Sequence, residues 1–420
     1  MKILGNIYIG GDKSLSHRAI ILASMCYGES TINNVPNSDD VLSTIEALQQ
    51  CGIKIKKQDT QLKIIGQTFH EPTNPLDCRN SGTTMRLLAG LVVNKEIRCT
   101  LVGDKSLSSR PMQRIVEPLR MMGVGIESQN GCAPIEIHNF NSKGINYTVP
   151  VVSAQVKSCL ILAALGAIGE SVFIEKTKTR DHLELMIQSI HSGLIDNSND
   201  EIIVNPMKDK EIQGFNINLP GDVSSASYLI ALTVLISGSK LIINDLLLNP
   251  LRMGFIDTLQ KMGANIQIDQ IKFTHNEKVG RLTIKGDKAL HGCRVRKNQV
   301  PLMIDEVPIL SLVCSYIDDE STIEGLEELR YKESNRFDGI YSILKGMGVD
   351  VSLLGINGIR IKGKNKLYNT TKLNHMNDHR LAMMISVAQI LSGDEIEFPD
   401  CINISFPNFR DIVNNILEIE

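Results

Sequence analysis

The sequence predicts an α/β protein made of six copies of one unit of about seventy residues, grouped as two similar lobes of three. Three observations carry that prediction. Five segments end alike, "LQQCG" at Gly52, "LRMMG" at Gly123, "SIHSG" at Gly193, "LQKMG" at Gly263 and "LKGMG" at Gly348, at intervals of 71, 70, 70 and 85 residues. Each has the form of a helix stopped by a C′ glycine. Upstream of each glycine lies another apolar helix, opened by a polar loop: Gly11-Asp12, "RNSGTT", "VSAQ", "PGDVSSAS", "IDEVP" and, in the last copy, "MNDHR". Turn-plus-strand signals then follow in "GESTI", "GESVFI", "GSKLII", "ESTIEG" and "GDEIEF".

Taken in order, each unit reads as strand, helix, strand, helix, strand, with a further strand where the spacing allows. In the first helix Ala19, Leu22, Ala23 and Cys26 recur at i, i+3, i+4 and i+7, an amphipathic pattern that buries one face. After the glycines, "IKIKK" and "ANIQI" alternate as half-buried strands do. Pro220 and Gly221 in "NLPGDVSS" interrupt the pattern and divide the units three and three. Periodicity leaves open whether helices pack inside against surrounding sheets or the reverse.

A chain of 420 residues is long enough for two domains, each with a substantial core. Nine cysteines without a CxxC pair, and no apolar leader, predict reduced cytoplasmic thiols rather than a disulfide framework or a zinc site. The most apolar runs, "YLIALTVLIS" and "VPILSLVCSYI", are shorter than the roughly 18 to 20 residues that span a bilayer. A net charge of -3, no Trp and 4% aromatic residues exclude the basic field and stacking platforms of a nucleic-acid binder.

Cations gather instead in the loops at predicted helix starts: Lys13 with Arg18, Arg110, Arg180, Lys332 with Arg336, and Arg380. Helix N-termini carry unpaired N–H groups and partial positive charge, so added Lys or Arg makes an anion site. A ligand held by several of them is multiply anionic. Asp305, in the otherwise apolar "PLMIDEVPIL", reads either as a helix cap or as a proton-transfer group among those cations. Glu333 reads likewise as a surface partner of Arg336 or as an acid-base group. "GGDKSLSHR" at 10–18 is no Walker loop, which would need glycines where Ile7 and Asp12 stand. Its echo, "GDKSLSSR" at 103–110, stands before a different helix of its unit, so the two are not repeat equivalents. No GxSxG elbow or other activated nucleophile is present.

The ordered motifs "GGDKSLSHR", "NSGTTMRLL", "GDKSLSSRPM", "SAQVKS", "TRDH", "PGDVSSASYL", "LRYKESNR" and "NDHRLAM" resemble the 5-enolpyruvylshikimate-3-phosphate synthases over nearly the whole chain. The resemblance implies the enolpyruvyl transferase fold, a two-lobe inverse α/β barrel of six βαβαββ repeats with helices inside and sheets outside. One lobe would span 13–220 and the other 1–12 with 221–420, with the active site in the cleft between them. It implies transfer of the enolpyruvyl group of phosphoenolpyruvate to the 5-hydroxyl of shikimate 3-phosphate, on the route to chorismate, by a monomeric cytoplasmic enzyme of the glyphosate-target family that uses no cofactor or metal.

Carried over by motif, Lys13, Ser14, Arg18, Ser153, Ala154, Gln155, Arg180, Asp305 and Lys332 would bind shikimate 3-phosphate. Lys13, Gly82, Arg110, Gln155, Arg336 and Arg380 would surround phosphoenolpyruvate. Asp305, Glu333 and Lys13 would be catalytic. Two positions depart from many members: Ala154 follows Ser153 as in the branch called class II, and Ile404 in "CINISFPNF" stands where a lysine is common. The sister enzymes acting on a UDP-sugar carry a reactive Cys five residues before an Arg-Pro, where this chain has Lys105 before Arg110-Pro111. A binding protein without turnover would need neither Asp305 nor Glu333, since each repels anions.

Overall fold

One strand order recurs in five sheets of the computed structural model, which describes residues 1–67, 69–197, 200–207, 211–366 and 368–418. In the second repeat Leu76–Asp77 runs parallel to Cys99–Val102, which is antiparallel to Cys132–Asn139, itself antiparallel to Gly125–Gln129. The third repeats it with Asn146–Val149, Ser171–Glu175, Glu201–Val204 and Ile195–Asp196. The fifth does so with Arg294–Val295, Glu320–Ile323, Ile359–Lys362 and Asp350–Leu353.

The other two sheets borrow their first strand. Lys2–Tyr8, at the start of the chain, lies parallel to Lys240–Leu247 in the fourth repeat. Asn216–Asn218, just past the middle of the chain, lies parallel to Glu29–Asn33 in the first. The residues accordingly fall into two units: Gly11–Leu219 with the hairpin tip Phe273–Glu277, here the N-terminal unit, and Met1–Gly10, Pro220–Lys272 and Lys278–Glu420, the C-terminal unit.

The helices are α1 (Lys13–Met25), α2 (Asp39–Gln50), α3 (Gly82–Asn94), α4 (Gln113–Met121), α5 (Ala154–Ala164), α6 (His182–Ile190), α7 (Val223–Leu235), α8 (Gly254–Lys261), α9 (Val307–Ser315), α10 (Arg336–Gly346), α11 (His379–Ser392) and α12 (Phe409–Ile416). The odd-numbered ones are sheathed on all sides. Every residue of α9, and α7 from Val223 to Val234, is buried. A helix that is apolar all round has no face to give to water, so it becomes the interior of its unit. The even-numbered helices bury one side. Helices inside and sheets outside is therefore the arrangement within each unit.

Helix α1 departs from the one-faced pattern read from its sequence, because all residues from Leu15 to Met25 are buried. Its polar residues tolerate this by bonding locally. Ser16 and Ser24 donate to the carbonyls of Asp12 (2.8 Å) and Ile21 (2.6 Å), and the His17 and Arg18 side chains are bonded as described below.

Four of the five stop glycines have the left-handed backbone expected of them, with φ of 94°, 93°, 100° and 80° at Gly52, Gly123, Gly263 and Gly348. Gly193 does not. Helix α6 ends instead through an extended His191 (φ -154°), which needs no left-handed residue. The sixth copy has α11 and α12 but no sheet of its own among the described residues, and "GDEIEF" is not a strand. Its backbone is claimed by α11: Gln389 Oε1 accepts from the Glu397 N–H (2.9 Å) and Ser386 Oγ donates to the Glu397 carbonyl (2.6 Å).

Candidate functional site

The buried helices place their N-termini where the polar loops join them, and nearly every residue singled out in the sequence sits there. In the N-terminal unit, Asp12 caps α1 by accepting from the Leu15 N–H (2.8 Å), which sets Lys13 and Ser14 in the first turn. Lys13 Nζ pairs with Asp40 at 2.7 Å. Arg18, one turn on and 2% exposed, donates to the Ser14 carbonyl and to Ser158 Oγ of α5, both at 2.9 Å. His17 lies between these two cations. Burial foremost, then Lys13 and Arg18, push its pKa well below the ordinary value, so it stays neutral and bonds Thr44 Oγ1 at 2.8 Å.

Gly82 opens α3, with Ser81 as its cap. A methyl group in place of its hydrogen would lie 3.0 Å from Arg86 Nη1 and 3.2 Å from Arg110 Nη1. The glycine thus allows two guanidinium groups to approach one helix start. Arg110 donates to Asn80 Oδ1 and, at 3.3 Å, to Ser106 Oγ. Arg86 donates to Gln155 Oε1, whose amide Nε2 in turn donates to Thr83 Oγ1 at 2.8 Å. Ser153 is the cap residue of α5 but makes no side-chain cap bond, and Ala154 and Gln155 follow it in the first turn.

Arg180 comes from a separate loop, between Ser171–Glu175 and α6, with a buried anchor beneath it. Lys157 of α5 pairs with Glu175 and Glu184, each at 2.7 Å, and donates to the Thr179 carbonyl at 3.2 Å. Burial works against the Lys157 charge, yet the two glutamates outweigh it and its pKa is raised. Burial likewise raises the pKa of Glu184, against the pull of Lys157.

In the C-terminal unit the charges interlock. Arg336 opens α10, is 1% exposed, and meets three carboxylates: Nε to Asp378 at 2.8 Å, Nη1 to Asp305 at 3.3 Å, and Nη2 to Glu333. Lys332 Nζ adds a contact to Asp305 at 3.5 Å. Asp378 also accepts from Ser334 Oγ (2.9 Å) and caps α11 through the Arg380 N–H (2.9 Å). Burial opposes the charge of Arg336, but Asp378, Glu333 and Asp305 more than compensate and its pKa is raised.

Arg380 is likewise buried. Tyr228 and the carboxylates of Asp305, Glu306 and Asp222 outweigh that burial, and its pKa too is raised. Its Nε and Nη1 nonetheless have no hydrogen-bond partner among the described residues. Buried guanidinium donors without a protein acceptor are suited to the oxygens of a phosphate or carboxylate. Ile404 packs against the apolar core and brings no charge to this group. Among the described residues no cluster of His, Cys, Asp and Glu is placed to hold a metal ion, and no helix is long and apolar enough to cross a membrane.

The sequence model of the EPSP synthase family, described as 3-phosphoshikimate 1-carboxyvinyltransferase, matches residues 1–413. This chain belongs to the EPSP synthase family. It is 38% identical over 417 residues to the 3-phosphoshikimate 1-carboxyvinyltransferase of Alkaliphilus metalliredigens, covering 98% of this chain and 96% of the relative. Identity to the enzyme of that name from Syntrophomonas wolfei is 39% over 419 residues, covering 98% and 97%. Among solved structures, EPSP synthase from Acinetobacter baumannii superposes with a TM-score of 0.86 at 32% identity, covering 99% of this chain and 96% of the other. As a member of the EPSP synthases the chain is an enzyme, and its reaction is carboxyvinyl transfer to 3-phosphoshikimate.

The structure also brings forward residues that sequence reading passed over. Asp40 is one of two acidic residues in the first turn of α2, with no local sign of its pairing with Lys13. Arg86 stood inside an apolar helix, and Lys157 in "SAQVKS" gave no sign of its two glutamates. Asp378 lies in the "MNDHR" loop, and nothing local in the sequence ties it to Arg336, 42 residues earlier.

Proposed function

We propose that Asp305 and Glu333 carry the proton steps of this reaction while the surrounding cations hold phosphoenolpyruvate and shikimate 3-phosphate. Asp305 takes the proton of the attacking 5-hydroxyl as its oxygen adds to C2 of phosphoenolpyruvate. Glu333 delivers a proton to the C3 methylene, which yields a tetrahedral adduct, and reclaims it as phosphate departs. Lys13 assists at the bridging oxygen. Ser14, Arg18, Ser153, Ala154, Gln155, Arg180 and Lys332 bind shikimate 3-phosphate, with Lys13 and Asp305. Gly82, Arg110, Gln155, Arg336 and Arg380 receive phosphoenolpyruvate, again with Lys13.

The observation that carries this assignment is the contact of one buried guanidinium, Arg336, with both Asp305 and Glu333, beside an Arg380 whose Nε and Nη1 have no hydrogen-bond partner among the described residues. An anionic substrate that takes over the Arg336 donors frees both side chains for proton exchange, Asp305 as a carboxylate that accepts the hydroxyl proton and Glu333 as a carboxylic acid that gives the methylene proton and later reclaims it. Cysteines buried among apolar side chains fit a reducing compartment such as the cytoplasm.

The test is phosphate release from phosphoenolpyruvate with shikimate 3-phosphate, run beside a UDP-sugar acceptor. Release is expected with shikimate 3-phosphate alone, and Asp305→Asn should lower kcat by about 10²- to 10⁴-fold. Release with the UDP-sugar instead would reassign the acceptor. Undiminished turnover in Asp305→Asn would remove that residue from the proton steps.

A further inference from the structure

Most cysteines of this chain are inert by placement. Burial pushes the thiols of Cys26, Cys99 and Cys159 up to about 12 and those of Cys51 and Cys401 to about 11, so they remain protonated and unreactive. Cys293 and Cys314 differ. Their sulfurs lie 3.7 Å apart, one on a half-buried residue at the start of a sheet edge, the other at 0% exposure in α9. The backbone fixes Cys293 firmly: its N–H donates to Ser321 Oγ (3.1 Å) and its carbonyl accepts from the Thr322 N–H (2.8 Å). Hydrogen bonding to Cys314 first, and to Ser321 as well, pulls the Cys293 pKa below the ordinary thiol value against the effect of burial. The same contact, with burial, pushes Cys314 up. The pair thus sets a half-buried cysteine, its pKa drawn below the ordinary thiol value, against a fully buried thiol 3.7 Å away.

We propose that Cys293 and Cys314 form an intramolecular, reversible disulfide when the protein meets hydrogen peroxide or an organic hydroperoxide. The Cys293 thiolate attacks one peroxide oxygen and breaks the O–O bond. That step leaves Cys293 as a sulfenic acid and releases hydroxide, which takes a proton to become water (an alcohol in the hydroperoxide case). The Cys314 sulfur then attacks the sulfenic sulfur, loses its own proton, and expels a second water. Two thiols are oxidised to one disulfide and one peroxide is reduced. From 3.7 Å, bond formation requires the sulfurs to close by about 1.7 Å, a distance that side-chain rotation with a small shift of α9 against the sheet edge can supply. With the resolving thiol already in contact, the sulfenic acid is consumed before a second oxidation to sulfinic acid.

The experiment treats the full chain with hydrogen peroxide, digests it without reduction, and identifies peptides by mass spectrometry. The expected product is one Cys293–Cys314 linked pair within a chain, about 2 Da lighter than its two peptides and split by dithiothreitol. Cys293→Ser, at a half-buried position, should fold and lose the link. Cys314→Ala should leave Cys293 as a sulfenic acid that dimedone traps. Dimedone-labelled or sulfinic Cys293 in the unsubstituted chain without the linked pair would overturn the proposal. So would linkage of Cys293 between chains, or no reaction at Cys293 at all.

Discussion

Buried arginines at the helix starts have different hydrogen-bond neighbours in the two units. In the N-terminal unit Arg18, Arg86 and Arg110 donate to uncharged acceptors, the Ser14 carbonyl, Ser158, Gln155, Asn80 and Ser106, which orient a guanidinium. In the C-terminal unit Arg336 is ringed by Asp305, Glu333 and Asp378. Uncharged acceptors orient a guanidinium without adding a titratable group, whereas carboxylates place titratable groups against it. Under the roles proposed above, that difference would couple proton transfer to anion binding at Arg336.

Glu333→Gln breaks the comparison at its strongest point and should have the largest effect. Glutamine keeps the shape and an acceptor for Arg336 but cannot exchange the methylene proton. We expect kcat to fall by about 10²- to 10⁴-fold while shikimate 3-phosphate still binds, as measured by steady-state rates and calorimetric titration. Equal loss of binding would make Glu333 a structural partner of Arg336 only.

Next comes the Glu175–Lys157–Glu184 group, where the N-terminal unit places two buried carboxylates on one buried cation. Because it lies beneath the Arg180 loop, its task is support rather than chemistry. Lys157→Met leaves two buried carboxylates without their counter-charge, which should cost about 3–5 kcal/mol of stability by denaturant titration. Adding Glu184→Gln should recover part of that loss. If Lys157→Met unfolds at the same denaturant concentration as the parent, the group is not an anchor.

The smallest effect sharpens the comparison between the look-alike loops. Lys13 is nearly buried and paired with Asp40 at a helix start, whereas Lys105 is exposed. Lys13→Met should raise KM for the substrates roughly 10- to 100-fold, the range of a lost charge-assisted hydrogen bond. Lys105→Met should leave steady-state kinetics within about twofold, as surface substitutions usually do. Similar losses in both would mean that the loops are functional equivalents.

Much of this was legible in the chain. Four glycine stops, the strands after "GEST", "GESV", "GSKL" and "ESTI", and the helix starts that carry Lys13, Gly82, Arg110, Asp305, Arg336 and Arg380 all follow from local hydrogen-bonding and steric preferences within a few residues. What escaped notice was non-local. "GDEIEF" has the composition of a turn and strand, but its backbone found acceptors and donors on α11 before it found a neighbouring strand. Gly193 resembled the other stops because the residues before it did, while the extended His191 ended the helix first.

The period of the units, the residue types at each helix start and the number of charges available there are settled locally, because turn geometry, capping and hydrophobic period act over short stretches of chain. Which charge meets which is set by the packing of the folded chain. Lys13 finds Asp40 across 27 residues and Arg336 finds Asp378 across 42, and the first strand of each unit's opening sheet comes from elsewhere in the chain. Those pairings depend on how buried helices pack and which sheet edges remain to be filled, and in a close-packed interior such choices are made by shape rather than by neighbours in sequence.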